Sequence, residues 1–264
     1  MVREPAVAGR FYPGSPSRLA AEVDGFLQPA TARAPARGLV APHAGYVYSG
    51  AIAGEVYRRV EVPKRVIVLG PNHTGLGAPA SLFPGGTWRT PLGAVPIDAG
   101  LTDALARAPG VEPDDEAHLH EHSLEVQVPF LQRLQPDLSL AALCLGPLPW
   151  RACEDLGRAL GEAAAAAGAL IVASSDMSHY VPASVARVKD RMAIDRLVAL
   201  DAAGLYEVIR REEISMCGFI PATVMLVAAR EMGATAGELI RYGHSGEVTG
   251  DDAQVVGYAA LRVW

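Results

Sequence analysis

Four of the seven histidines in this chain follow short apolar runs, and this repeated pattern is the first indication of a chemical site. RGLVAPHAGY leads to His43, VIVLGPNHTG leads to His73 and ALIVASSDMSHY leads to His179, while a weaker run, ELIRYGHSGE, leads to His244. Runs of this length and composition are typical of buried β-strands. Because neutral imidazole is the commonest metal ligand, two or three histidines at neighbouring strand ends predict a transition-metal site.

Two further residue types fit chemistry at such a site. Asp176 precedes His179 by three residues, and a carboxylate near a histidine can fix its tautomer and suit it to general acid-base work; a helix cap is the alternative role for this aspartate. Cys217, in ISMCGFIPATVM, stands where a loop enters an apolar helix, which favours the thiolate and makes it a candidate ligand or nucleophile. Cys144 and Cys153 lie in apolar surroundings and are interpreted as structural.

The stretch DDEAHLHEHSLEVQVPF contains three more histidines. His118 and His120 lie in an acidic segment and are expected in a solvated loop. His122 and Glu125 are three residues apart, so on the helix predicted over 121–134 they would share one face and could line a crevice.

The elements that must position these residues alternate between strand and helix, which predicts one layered α/β domain over residues 1–264, with a largely parallel sheet flanked by helices. The expected strands are 38–41, 65–70, 138–145, 169–174, 238–242 and 254–262. The expected helices are 49–60, with Ser49 as its N-cap, 101–107, 121–134, 150–167, 184–199, 202–211 and 218–232. Residues 80–97, with Gly-Gly and Pro-Leu-Gly breaks, predict a hairpin-like insertion.

In open α/β sheets, ligands bind outside the carboxyl ends of the strands. If the strands before His43, His73 and His179 run parallel, the three side chains emerge at one edge of the sheet and can converge. The sequence therefore predicts that the histidines form one site.

Composition excludes several classes of function. The net charge of −6 and the scattered arginines argue against nucleic acid as a partner. Arg and Glu interrupt the N-terminal segment, and no window of about 18 apolar residues follows, so we expect a cytoplasmic protein without a membrane partner. Three cysteines without a C-x-x-C pair predict reduced thiols.

AGRFYPG, APHAGYVYSG, LGPNH, EHSLEVQVPF, SSDMSHY and MCGFIP occur in this order along nearly the whole chain, which resembles the Memo family. That family resembles in fold the LigB-type subunit of class III extradiol dioxygenases. The resemblance implies that His43 and His73 match two iron ligands and that His179 matches an acid-base histidine. Phe11 and Tyr48, aromatic residues near loops, fall where family members line the pocket. It also implies an association with AMMECR-type and radical-SAM proteins.

The resemblance departs at the third ligand, because the dioxygenases use a glutamate where Cys217 stands here. The resemblance implies Fe(II) as the expected metal, with copper or zinc as alternatives. A thiolate is softer than a carboxylate and favours Cu(I), Zn(II) or a differently tuned iron, so ring cleavage does not follow. The main hypothesis is a metal-dependent oxidoreductase in which His43, His73 and Cys217 bind the metal and His179, oriented by Asp176, transfers a proton.

Two alternatives remain open from the sequence. The same crevice could bind a small molecule or a peptide without converting it, as a non-catalytic binding module. It could also be a hydrolase site in which Cys217 is the nucleophile and His179 its base.

Overall fold

Four apolar segments lie side by side as parallel strands at the centre of a nine-stranded sheet in the computed structural model, which describes residues 1–264. Their residues are almost all buried, as expected for strands covered on both faces. The twelve strands of the chain are β1 (Val2–Arg3), β2 (Gly38–Ala41), β3 (Arg65–Pro71), β4 (Ala80–Leu82), β5 (Thr87–Thr90), β6 (Gly93–Pro96), β7 (Glu112–Pro113), β8 (Ser139–Leu145), β9 (Leu170–Ser174), β10 (His179–Val181), β11 (Gly237–His244) and β12 (Val255–Val263).

The order of the large sheet is β10-β12-β2-β9-β3-β8-β4-β7, and β11 pairs with β12. The central strands β2, β9, β3 and β8 are parallel, whereas β12 pairs antiparallel with β2 and β4 pairs antiparallel with β8. The predicted α/β fold is confirmed, and the sheet is mixed with a parallel centre. Strands β1, β5 and β6 form a separate three-stranded sheet that contains the predicted hairpin.

Alternate side chains of the central strands enter two different cores. Val40, Ile67 and Ile171 belong to a core of 39 buried residues on one face. Leu39 and Val68 belong to a core of 34 buried residues on the other face. The sheet is therefore buried on both sides, and only its ends are available for a site.

Helices cover both faces. Helices α1, α2 and α5 pack on the second core, and α3, α6, α7, α8 and α9 pack on the first. None of them has the length and apolarity needed to cross a membrane. The helices are α1 (Pro16–Phe26), α2 (Tyr46–Tyr57), α3 (Ala99–Leu105), α4 (Glu116–Leu119), α5 (Val128–Leu134), α6 (Trp150–Ala167), α7 (Ala183–Val198), α8 (Ala202–Arg211), α9 (Phe219–Glu231) and α10 (Gly246–Thr249).

Three predictions about local structure were wrong or incomplete. The helix expected over 121–134 begins only with a 3-10 turn at Glu125–Gln127, because the preceding residues form a loop that bonds to the strand ends. Helix α2 begins at Tyr46, and Ser49 is not its N-cap: its hydroxyl donates to the carbonyl of Ala44. Helix α1 was not predicted.

Candidate metal centre

Three side chains from distant parts of the sequence meet at the carboxyl ends of the parallel strands. His43 follows β2, His73 follows β3 and Cys217 precedes α9. One nitrogen of each imidazole and the sulfur of the cysteine all lie within 4.8 Å of one another. The imidazole centroids of His43 and His73 are 5.3 Å apart. The structure thus brings together the three residues predicted as metal ligands.

The register of the sheet explains this convergence. Strand β9 lies between β2 and β3, and Ala41 at the end of β2 pairs with Ser174 at the end of β9. The strands therefore end at one level, and the residues that follow them are delivered to one edge. Cys217 reaches that edge because Gly218 lets its loop pass close to β9: a Cβ on this glycine would lie 2.3 Å from the carbonyl oxygen of Ser174.

Glu121 holds His73 in place. Its carboxylate accepts the backbone N–H of His73 at 2.6 Å and faces the ring Nδ1 at 2.9 Å. Burial raises the pKa of the Glu121 carboxyl, but hydrogen bonds from His73 and Ser123 outweigh it and lower the pKa to about 2. Because this ionised carboxylate can only accept, Nδ1 of His73 donates to it, and Nε2 is the ring nitrogen available to a metal ion.

The ring of His43 and the sulfur of Cys217 are in contact. Nδ1 of His43 lies 2.9 Å from the hydroxyl of Ser174, and Nε2 lies 3.3 Å from Sγ of Cys217. Burial lowers the pKa of His43 well below its ordinary value, so the imidazole is neutral and able to act as a ligand.

The prediction that the helix N-terminus favours the Cys217 thiolate was wrong. Burial raises the pKa of this thiol, and the nearby carboxylate of Asp176 raises it further. The backbone N–H of Asp176 donates to the sulfur at 3.3 Å and stabilises the thiolate, but this effect is smaller than the two that raise the pKa. A nearby cation would be needed to hold the thiolate, which fits a metal ligand better than a free nucleophile.

His122 joins the same cluster. Its ring stacks on His73 with centroids 4.6 Å apart and meets His43 at 5.4 Å. Burial lowers the pKa of His122 to about 4, so it is neutral at physiological pH. The ring of Phe11 lies 4.7 Å from that of His122.

The expected shared face of His122 and Glu125 does not form. His122 lies in the loop before the 3-10 turn, whereas the buried carboxylate of Glu125 accepts hydrogen bonds from Arg3 and Tyr12 and from the backbone N–H groups of Ala6 and Val7. Glu125 therefore anchors the N-terminal segment that carries Phe11, and it does not line the crevice.

His179 is held by Ser215 and not by Asp176. Its Nδ1 lies 2.8 Å from the carbonyl oxygen of Ser215, and its backbone N–H donates to the Ser215 hydroxyl. A carbonyl only accepts, so Nδ1 of His179 is the donor in this hydrogen bond. Asp176 instead accepts the backbone N–H of His43 at 2.8 Å, and burial raises the pKa of its carboxyl to about 6.

The remaining histidines lie outside the cluster. His120 is exposed, as expected, but His118 is fully buried, so its predicted place in a solvated loop was wrong. His118 packs edge-on against Phe83 and Trp88, which shield it from water. His244 is buried beside Asp252, with 3.7 Å between Nδ1 and the carboxylate.

The other predicted residues fall as follows. Cys144 and Cys153 are buried in the two cores, in agreement with structural roles. Tyr48 lies on the first turn of α2 with 40% of its surface exposed. Sequence reasoning missed Glu121, Ser174 and Ser215, whose partners become apparent only when the strand ends are brought together.

A second group of donors, His73, Glu121 and His122, is also compact enough for a metal ion. It shares His73 with the first group, and Glu121 already occupies the Nδ1 side of that ring. We therefore interpret this group as the support of the His43–His73–Cys217 centre rather than as a separate site.

Known proteins with the same pattern place this chain in a family. The chain matches the family described as Memo-like protein over residues 3–262. A MEMO1 family protein of Aquifex aeolicus is 46% identical, with 98% of each chain covered. Another, from Methanopyrus kandleri, is 42% identical and covers 99% of this chain and 98% of its own. The chain belongs to the Memo family.

A solved structure supports the fold. The crystal structure of an uncharacterized protein from Escherichia coli K12 matches with a TM-score of 0.55 over 85% of this chain and 98% of that one, at 15% sequence identity. At this identity the similarity concerns the architecture alone.

Proposed function

We propose that the protein binds one redox-active transition-metal ion, iron or copper, through His43, His73 and Cys217 and acts as an oxidoreductase on a small-molecule or peptide ligand. The observation that carries the proposal is the compact set of three donor atoms within 4.8 Å. Burial keeps His43 neutral, and Glu121 leaves Nε2 of His73 free to bind.

The donor set determines which metals fit. Two imidazoles and a thiolate form a softer site than two imidazoles and a carboxylate, which favours copper, zinc or a differently tuned iron. Among these, iron and copper support redox chemistry. A bound ion of this kind would supply electron transfer between the substrate and dioxygen.

The protein's own residues would handle protons and exclude water. Ser215 accepts a hydrogen bond from Nδ1 of His179, so Nε2 is the ring nitrogen that would act as a base toward a substrate hydroxyl. The rings of His122 and Phe11, 4.7 Å apart, would orient the substrate beside the metal. His73, with a third of its side chain exposed, lies on the side from which a ligand would enter.

The test is elemental analysis of protein purified anaerobically without a His-tag. We expect near one equivalent of iron or copper per chain in the wild type and loss of this metal in Cys217→Ala. Cys153→Ala is the matched control, because it removes a buried thiol that is not part of the donor cluster.

Absence of metal in the wild type, with none taken up from added Fe(II) or Cu(I), would contradict the proposal and favour the non-catalytic binding module. If the protein bound only zinc under all conditions, the metal site would be supported but the oxidoreductase activity would be contradicted.

A further inference from the structure

We propose that Ser174 is a positioning residue that fixes the tautomer of His43, and that Gln127 holds Ser174 in this role. The inference deepens the proposed function, because its importance depends on His43 being a ligand. The hydrogen bonds that support it join fully buried groups, and the tautomer of His43 can be measured in the absence of metal.

The orientation of the Gln127 amide is determined by its neighbours. Its Nε2 lies within hydrogen-bonding distance of three acceptors, the hydroxyl of Ser174 at 2.7 Å and the carbonyls of Pro42 at 3.0 Å and Ala41 at 3.3 Å. Its Oε1 accepts from the hydroxyl of Tyr57 at 2.9 Å. Because a backbone carbonyl can only accept, the nitrogen must face Pro42 and Ala41. An amide nitrogen can only donate, so its shortest contact, to the oxygen of Ser174, is a donation.

The hydroxyl of Ser174 has one proton, and its destination is also determined. The carbonyl oxygen of Ser123 lies 2.7 Å away and can only accept, so the proton of Ser174 points there. Gln127 donates to one lone pair of the Ser174 oxygen. The remaining neighbour, Nδ1 of His43 at 2.9 Å, must then be a donor.

His43 therefore carries its proton on Nδ1, and its free Nε2 lone pair faces Cys217. In the opposite tautomer, the lone pair of Nδ1 would face a lone pair of the Ser174 oxygen. Neither buried atom would then have a hydrogen bond to the other, which costs free energy. The tautomer needed for metal binding is thus fixed before any ion arrives.

The same segment supports both histidine ligands. Glu121 binds His73, the hydroxyl of Ser123 donates to Pro71 at the end of β3, and Gln127 binds the end of β2 and Ser174. Residues 121–127 therefore hold the two ligand-bearing strand ends in one fixed arrangement, which explains why the segment leaves the helical path predicted for it.

The experiment is ¹⁵N NMR of histidine-labelled, metal-free protein near pH 7.5, with the signals of His43 assigned by comparison with His43→Gln. In the wild type we expect a protonated Nδ1 and an unprotonated Nε2. In Ser174→Ala we expect a mixture that includes the Nε2-protonated form. The matched control is Ser178→Ala, since the Ser178 hydroxyl is buried but has no hydrogen-bond partner, and it should leave the His43 signals unchanged.

A wild-type His43 protonated on Nε2, or a Ser174→Ala variant with the wild-type tautomer, would overturn the inference. If Ser174→Ala does not fold, Ser174→Cys provides the same test at nearly the same volume, because a thiol is a weak acceptor. Ser174→Thr keeps the hydroxyl and should restore the Nδ1-protonated form.

Metal affinity gives the second readout. Loss of an outer hydrogen-bond partner typically weakens metal binding by about 10-fold to 100-fold, and we expect a loss of that size in Ser174→Ala but not in Ser178→Ala. A wild-type protein that binds no metal would contradict the proposed function. The NMR result would still show whether Ser174 fixes the tautomer of His43.

Discussion

Sγ of Cys217 lies 3.3 Å from Nε2 of His43, although 174 positions separate the two residues in the chain. The sulfur also accepts the backbone N–H of Asp176, whose carboxylate accepts the backbone N–H of His43. Three segments are therefore closed into a ring of contacts around the donor atoms. This ring holds the sulfur of Cys217 and the imidazole of His43 in contact with each other.

The double variant His43→Ala and His73→Ala should abolish metal binding and leave the helical circular dichroism signal unchanged. Both imidazoles supply donor atoms to the cluster, whereas the two cores of the sheet do not depend on them. Elemental analysis and far-ultraviolet circular dichroism provide the measurement. His120→Ala, which removes an exposed histidine outside the cluster, should retain the metal. Full retention in the double variant would rule out these two residues as the ligands.

The four central strands were predictable because each is a continuous apolar run, whereas short edge strands such as β1, β7 and β10 were not predicted. Their parallel arrangement then placed His43 and His73 at one edge, and the structure confirms the fold class. What could not be predicted is which polar residue orients which imidazole. Glu121 neighbours His122 in sequence but binds His73, because it is the end of β3 that passes beside it.

The wrong prediction for His118 has the same physical origin. The local sequence, DDEAHLHEH, is acidic and indicates solvation. Burial of His118 is decided by Trp88 and Phe83, which belong to another part of the chain. The hydrophobic periodicity of a short sequence window cannot show that side chains from another segment bury a residue.

Glu125→Gln should destabilise the protein by about 3 kcal/mol or more, because breaking a buried ion pair leaves an uncompensated charge. Arg3 and Glu125 form this pair, and both side chains are almost fully buried. Urea unfolding measures the loss. Glu4→Gln is the control, since the pair of Glu4 and Arg89 is exposed and should contribute less than about 1 kcal/mol. Equal effects of the two substitutions would contradict the anchoring role of Glu125.

His118 should make the protein less stable as the pH falls. Burial lowers the pKa of His118 from 6.5 to about 4, so between these values the unfolded chain binds a proton that the folded chain does not. The free energy of unfolding should therefore decrease as the pH falls through this interval, by about 3 kcal/mol in total from this group.

The measurement is urea unfolding between pH 7.5 and 4 for the wild type and for His118→Gln, in which this contribution should disappear. The glutamine can still donate to the carbonyl of Ser81, as Nε2 of His118 does at 3.2 Å. His120→Gln should keep the wild-type dependence. If stability depended on pH in the same way for the wild type and His118→Gln, His118 would have the same pKa in the folded and the unfolded protein, and the prediction would be wrong.

Gly218→Ala should weaken metal binding by more than about 10-fold, because the loop that carries Cys217 has no room for a side chain next to β9. The added Cβ would lie 2.3 Å from the carbonyl oxygen of Ser174 and 2.5 Å from the Cβ of Ser175, so the backbone beside Cys217 must move. We also expect a loss of about 1–3 kcal/mol in stability from this overpacking.

Gly25→Ala is the opposite case, since its Cβ would meet nothing within 4 Å and it lies within helix α1. That variant should gain about 0.5–1 kcal/mol and bind metal as the wild type does. Metal titration and urea unfolding on both variants test the argument, and wild-type affinity in Gly218→Ala would mean that the position of Cys217 does not control the site.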